Sequence, residues 1–137
     1  MVDSRLPFGA SMSCQIFQLI SDAISRMMAR RNLAVVCYLD DMICVAETEL
    51  DCLLVFNTLI ELLERLGLDI NWGKVALPTQ ITVFLGVHID SVARRLSLPD
   101  KTFLELKTLV GAWSVKKRCT KLQLQKFLGK LTWATTA

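Results

Sequence analysis

Apolar positions along the chain change their period several times, and each change marks an element. From Ala10 to Arg31 they fall at Cys14, Phe17, Ile20, Ile24, Met27 and Met28, the spacing of one buried helical stripe. From Leu33 to Ala46 they run almost unbroken, Leu-Ala-Val-Val-Cys-Tyr-Leu-Asp-Asp-Met-Ile-Cys-Val-Ala, interrupted only by Asp40 and Asp41. Two adjacent carboxylates are not buried unpaired, so the run must turn back on itself there. With Asp40-Asp41 as a two-residue loop, Leu39 faces Met42, Tyr38 faces Ile43 and Cys37 faces Cys44. The expected element is a β-hairpin of two apolar strands with an anionic tip.

A second helical stripe comes next, with Cys52, Val55, Phe56, Leu59, Leu62, Leu63 and Leu66 on one face. Thr48 with Asp51 three residues on resembles a capping box, and Gly67 is the stop. Leu68 to Asn71 reads as a short strand, Trp72-Gly73-Lys74 as a turn, and Pro78 demotes the residues just after it to loop. Thr82 to Asp90 and Arg95 to Leu98 read as two strands of another hairpin. Pro99-Asp100 opens a helix to about Trp113, and Thr120 with Gln123 caps a last one carrying Leu124, Phe127, Leu128, Leu131 and Ala134. That helix meets no stop signal, as though the chain were cut inside the element. The fold class is α+β, without internal repeats or a low-complexity linker.

Composition narrows the classes. Of 137 residues, 53% are hydrophobic and 21% charged, and the mean hydropathy is +0.42, more apolar surface than so short a chain is expected to bury alone. No apolar stretch reaches membrane-spanning length: Asp40-Asp41 split the best one, and Glu61, Glu64 and Arg65 break the next. The N-terminus lacks a signal-peptide pattern, so an intracellular protein, cytoplasmic or nuclear, is expected. Cysteines 14, 37, 44, 52 and 119 form no C-x-x-C pair and accompany one histidine, His88, which argues against a zinc site and a disulfide framework. His88 is expected to pack or hydrogen-bond in its strand.

Charge is distributed unevenly. Residues 1–90 carry six Lys/Arg against eleven Asp/Glu, a net of −5, whereas residues 91–137 carry ten against two, a net of +8. A basic end with so few interleaved acids suits a polyanionic partner better than a solvated helix face.

Adjacent acids at a hairpin tip are common, and alone they denote a solvated turn. Here the flanking strands are apolar enough to hold the tip rigidly, as a divalent-metal site requires. Pro7-Phe8-Gly9 upstream is a glycine-containing loop opening a helix, and Lys74 lies in a turn downstream. The order of these motifs resembles that of reverse transcriptases. Leu6-Pro7-Phe8-Gly9 resembles motif B, Tyr38-Leu39-Asp40-Asp41 the Y-x-D-D of motif C, Leu66-Gly67-Leu68 through Asn71 to Lys74 motif D, and Phe84-Leu85-Gly86-Val87 motif E. Finer details resemble the tyrosine-recombinase retrotransposons of the DIRS group. They include Leu-Pro-x-Gly-x-Ser-x-Ser-Cys, Phe84-Leu85-Gly86-x-x-Ile89-Asp90 and the Leu122-Gln123 to Leu128-Gly129-x-Leu131 helix.

The resemblance implies residues 1–98 as the C-terminal half of a palm, with residues 82–98 its primer-grip hairpin, and residues 99–137 as the start of a thumb. It implies Mg²⁺-dependent nucleotidyl transfer from a dNTP onto a primer 3′-hydroxyl over an RNA/DNA template-primer. Asp40 and Asp41 would be metal ligands, Lys74 a general acid or counter-charge at the pyrophosphate, and Phe8, Gly9, Tyr38 and Leu39 would border the nucleotide. Phe84, Leu85 and Gly86 would grip the primer, and Lys116, Lys117, Arg118 and Lys121 would meet phosphates, with Lys126 and Lys130 beyond them. In this family a third aspartate precedes motif B, and Asp3 is too close to Pro7 to supply it. The isolated chain is therefore expected not to polymerise, to need the rest of its polymerase, and to be marginal or to associate. The alternative is a non-catalytic nucleic-acid-binding remnant.

Overall fold

The computed structural model describes residues 12–135, which divide into two compact units at Thr79–Gln80. The first unit holds α1 (Ser13–Ala29), β1 (Ala34–Tyr38), β2 (Asp41–Val45), α2 (Glu49–Arg65) and the short 3₁₀ turn Trp72–Lys74. Both long helices end where the sequence permits a left-handed residue. At α2, Gly67 takes φ +73°, its N–H donates to the Glu64 carbonyl, and Leu68 donates back to Leu63, each at 3.0 Å. At α1 the same closure uses Asn32 at φ +58°, with Leu33 donating to Met28 at 3.1 Å. The start of α2 is the expected cap, Thr48 Oγ1 accepting from the Asp51 N–H at 3.1 Å and donating to Asp51 Oδ2 at 2.6 Å.

Among the described residues the buried apolar side chains are Ile24 and Met28 of α1, Val35 of β1, and Val55 and Leu59 of α2. Leu33, Cys37, Met42, Cys44, Leu62, Leu63 and Leu68 pack around them. Helix α1 lies along β1 and α2 along β2, so both helices cover one face of the hairpin. The α1 stripe is narrower than its apolar pattern predicts. Cys14, Ile20 and Met27 are exposed, whereas a polar residue, Ser21, is wholly buried in line with Ile24 and Met28. Ser21 can occupy that place because the hairpin supplies its hydroxyl with an acceptor.

The hairpin register also departs from expectation. Tyr38 pairs with Asp41, Cys37 with Met42 and Val35 with Cys44, so the two-residue loop is Leu39-Asp40. Leu39 has φ +50° and Asp40 is not in the left-handed region, the φ pattern of a II′ turn, whose twist matches the strands. Cys37 and Cys44 are diagonal neighbours on the core face, and all five cysteines are free thiols. The opposite face bears Val36, Tyr38 and Val45, each more than half exposed. Residues 68–71 form no strand, since no partner strand pairs with them among the described residues, and the chain passes directly into the 3₁₀ turn.

The second unit holds β3 (Ile81–Phe84), β4 (Val87–Asp90), β5 (Arg95–Ser97), α3 (Asp100–Ser114) and α4 (Lys121–Thr135). The segment expected to be one strand, Thr82 to Asp90, is two. Leu85 at φ +50° and Gly86 at φ +79° make a two-residue turn with both residues left-handed, and Phe84 pairs with Val87 across it. β5 continues the antiparallel sheet on the far side of β4, and Ser97 Oγ lies 3.4 Å from His88 Nδ1. Thr120 and Gln123 cap α4 reciprocally, each side chain accepting the other's backbone N–H at 3.2 Å. Neither α3 nor α4 has a buried residue. Trp113 of α3 stacks on Phe127 of α4 with centroids 4.2 Å apart.

Candidate active site

The tip of the β1–β2 hairpin brings Tyr38, Leu39, Asp40 and Asp41 together. A leucine at positive φ costs of order 1–2 kcal/mol against an ordinary backbone, so something must hold it there. Helix α1 does so from two sides. The Leu39 N–H donates to Gln18 Oε1 at 2.9 Å, and Ser21 Oγ donates toward the Leu39 carbonyl at 2.5 Å, with the Phe17 carbonyl 3.1 Å away. Gln18 Nε2 in turn donates to Asp22 Oδ1 at 2.8 Å. One turn further along, Ser25 Oγ donates to the Val35 carbonyl at 2.9 Å. Residues 18, 21 and 25 thus form a polar stripe on α1 that bonds to the hairpin backbone, with Asp22 holding Gln18.

Asp40 and Asp41 are exposed, and neither carboxylate is committed to an internal hydrogen bond or ion pair among the described residues. Two adjacent negative charges with free oxygen atoms favour a bound cation. Hard carboxylate oxygens suit Mg²⁺, which is commonly held by one or two protein carboxylates while substrate phosphates and water complete its shell. Among the described residues no group of three potential ligands occurs. Tyr38, opposite Asp41, is 54% exposed and is therefore not a core aromatic.

Beneath the tip the thiols are held neutral. Burial first, then the neighbouring Cys52 and Cys37 thiols, push the Cys44 pKa up from 9.0 to about 11, and burial with the Asp22 carboxylate raises that of Cys37. These cysteines serve as small apolar residues.

Lys74 closes the 3₁₀ turn and is exposed. Phe8 and Gly9 lie outside the described residues. In the second unit Phe84 is half-buried at the end of β3, and Leu85 and Gly86 form the turn after it. The ring of Trp133 lies against that turn so closely that a Cβ on Gly86 would stand 2.9 Å from Cζ2. Lys116, Lys117 and Arg118 lie in the α3–α4 connection, Lys121 opens α4, and all four are exposed. Lys116 Nζ sits 4.8 Å from the Trp113 ring centroid and donates to Gln123 Oε1 at 3.2 Å, leaving the others to solvent.

The residues that sequence reasoning missed are Gln18, Ser21 and Asp22. Their signal was a serine interrupting the Phe17–Ile24–Met28 line, with polar partners three residues before it and one after.

An α+β chain in which two helices cover one face of a hairpin that carries paired aspartates at its tip has the build of part of a polymerase palm. Residues 2–89 match the reverse transcriptase (RNA-dependent DNA polymerase) family, and the chain belongs to that family. No curated protein matches it. No helix among the described residues is long and apolar enough to cross a membrane.

Proposed function

We propose that this chain contributes the motif C hairpin and primer grip of an RNA-directed DNA polymerase from a retroelement of the DIRS kind. The observation that carries the reading is a tip whose Leu39 N–H and carbonyl are both bonded to α1, with two uncommitted carboxylates beside them. In this reading residues 1–98 belong to the palm, residues 82–98 are the primer grip, and residues 99–137 begin the thumb. Asp40 and Asp41 would hold Mg²⁺, which when bound supplies charge stabilisation at the triphosphate and lowers the pKa of the primer 3′-hydroxyl. Two carboxylates leave coordination positions for dNTP phosphates and for a further carboxylate of the polymerase.

The remaining roles rest on chemistry and placement. Asp41 pairs with Tyr38 across the two strands and the Tyr38 ring is exposed, so the ring would stand beside a cation held by Asp41 and could touch the nucleotide or primer end. Phe8 and Gly9 are assigned to the nucleotide pocket by their motif alone. Lys74, exposed on a short turn, is free to neutralise or protonate a leaving pyrophosphate. The turn Leu85-Gly86, preceded by the half-buried Phe84, would present backbone to a primer. Lys117, Arg118 and Lys121 offer exposed charge to phosphates, a contact that weakens with salt.

A titration of a labelled RNA/DNA primer-template, followed by fluorescence anisotropy with and without Mg²⁺, tests the assignment. Binding that Mg²⁺ strengthens in the wild type but not in Asp40→Asn is expected. Binding that depends on salt but ignores both Mg²⁺ and Asp40→Asn would favour the alternative, a non-catalytic nucleic-acid-binding remnant suggested by the net charge of +8 over residues 91–137.

A further inference from the structure

We infer that Gln18, Ser21 and Asp22 are positioning residues that fix the Leu39 peptide and thereby set the presentation of Asp40 and Asp41. The inference rests on the metal-binding reading of the tip. The loop residue ahead of Asp40 is a leucine at φ +50°, a conformation that leucine does not favour. Both polar atoms of Leu39 are taken by one helix, its N–H by Gln18 Oε1 at 2.9 Å and its carbonyl by the hydroxyl of Ser21, which is wholly buried. A carboxamide can be placed either way round, and here Asp22 decides. Its carboxylate accepts from Gln18 Nε2 at 2.8 Å, so the Gln18 oxygen is left facing the Leu39 N–H. The three side chains stand at i, i+3 and i+4, one above another on α1, while Asp40 follows Leu39 directly. The Leu39 N–H lies in the Tyr38–Leu39 peptide and its carbonyl in the Leu39–Asp40 peptide, so each bond fixes one of the two planes, and rotation of the second would swing Asp40 with it. Helix α1 is thus coupled to the carboxylates without touching them.

Two readouts on the full chain test this. The first is hydrogen exchange of the Leu39 amide, and the second is Mn²⁺ affinity measured by water-proton relaxation. In the wild type the Leu39 amide is protected, and Mn²⁺ binds at a site that Asp40→Asn removes. Gln18→Leu loses the protection and weakens Mn²⁺ about tenfold, the scale of one buried hydrogen bond and the order it imposes. Gln18→Glu alone sets a carboxylate against Asp22 and behaves likewise. Gln18→Glu with Asp22→Asn keeps an acceptor for Leu39, replaces the repulsion by a hydrogen bond from residue 22 to residue 18, and recovers both readouts. Ser25→Ala removes a bond from the same helix to Val35, away from the tip, and lowers stability while leaving both readouts unchanged.

Equal exchange of the Leu39 amide in wild type and Gln18→Leu would overturn the clamp. Lost protection with unchanged Mn²⁺ affinity would overturn its positioning role. A wild type with no Asp40-dependent Mn²⁺ site would overturn the metal-binding reading instead, with the exchange data still deciding the clamp.

Discussion

The two units of this chain hold their hairpins by different means. In the first, β1–β2 rests on five buried apolar side chains from three elements, and a polar stripe of α1 bonds to its backbone. In the second, β3–β4 has no buried residue beneath it among the described residues, and its turn is met by the edge of one aromatic ring, Trp133. A metal-binding tip needs its carboxylates fixed to a fraction of an ångström, whereas a strand that touches a polymer needs mainly a surface. The units differ in burial and in hydrogen bonding to the hairpin where the chemistry proposed for them differs.

Substitutions in the first core challenge that contrast most forcefully. Ile24→Ala and Met28→Ala should each cost about 2–5 kcal/mol in denaturant melts of the chain, whereas Leu128→Ala, on a half-exposed position of α4, should cost no more than about 1 kcal/mol. Equal losses would mean that the second unit has a core of its own. A matched pair of glycines resolves the difference more finely. Gly67 and Gly86 both have positive φ, but only Gly86 has an atom in the way of a Cβ. Gly86→Ala should cost about 2 kcal/mol and Gly67→Ala about 1 kcal/mol, the difference vanishing when Trp133 is replaced by Ala.

The thiols should show the weakest effects. Cys44 in its folded setting titrates at about 11 against 9.0 when free, so the folded chain retains a proton that the unfolded chain releases. The stabilisation is therefore complete below pH 9.0 and is lost as pH rises toward about 11. Melts across that window should show a decline that Cys44→Ala flattens. With a disulfide reagent at neutral pH, the exposed Cys14 and Cys119 should react first and Cys44 last.

Much of this architecture was legible because its signals are local. Thr48 with Asp51, Thr120 with Gln123 and the terminating Gly67 each name a helix boundary through one hydrogen bond or one backbone angle, and each stands where expected. The tip was legible as a turn because two carboxylates cannot be buried, but not as the right turn. A leucine carries no mark of a positive φ, and Leu39 takes that conformation because Gln18 and Ser21, more than a dozen residues away, hold its peptide. Leu85 hid a turn in the same way, with Gly86 as the only hint that Thr82 to Asp90 was two strands. The α1 stripe was drawn too wide for a related reason. Apolar spacing admitted Ile20 and Met27, while the residue that faces inward, Ser21, is polar and depends on a partner that no local pattern announces.

Whether the uncommitted carboxylates of Asp40 and Asp41 form a held divalent-cation site can be read from paramagnetic broadening of the amide spectrum by Mn²⁺. Broadening centred on residues 38–42 at low Mn²⁺, and gone in Asp40→Asn, is the expected result. Broadening spread over the acidic residues at and just before the start of α2, Glu47, Glu49 and Asp51, or left unchanged by Asp40→Asn, would mean that the tip holds no such site.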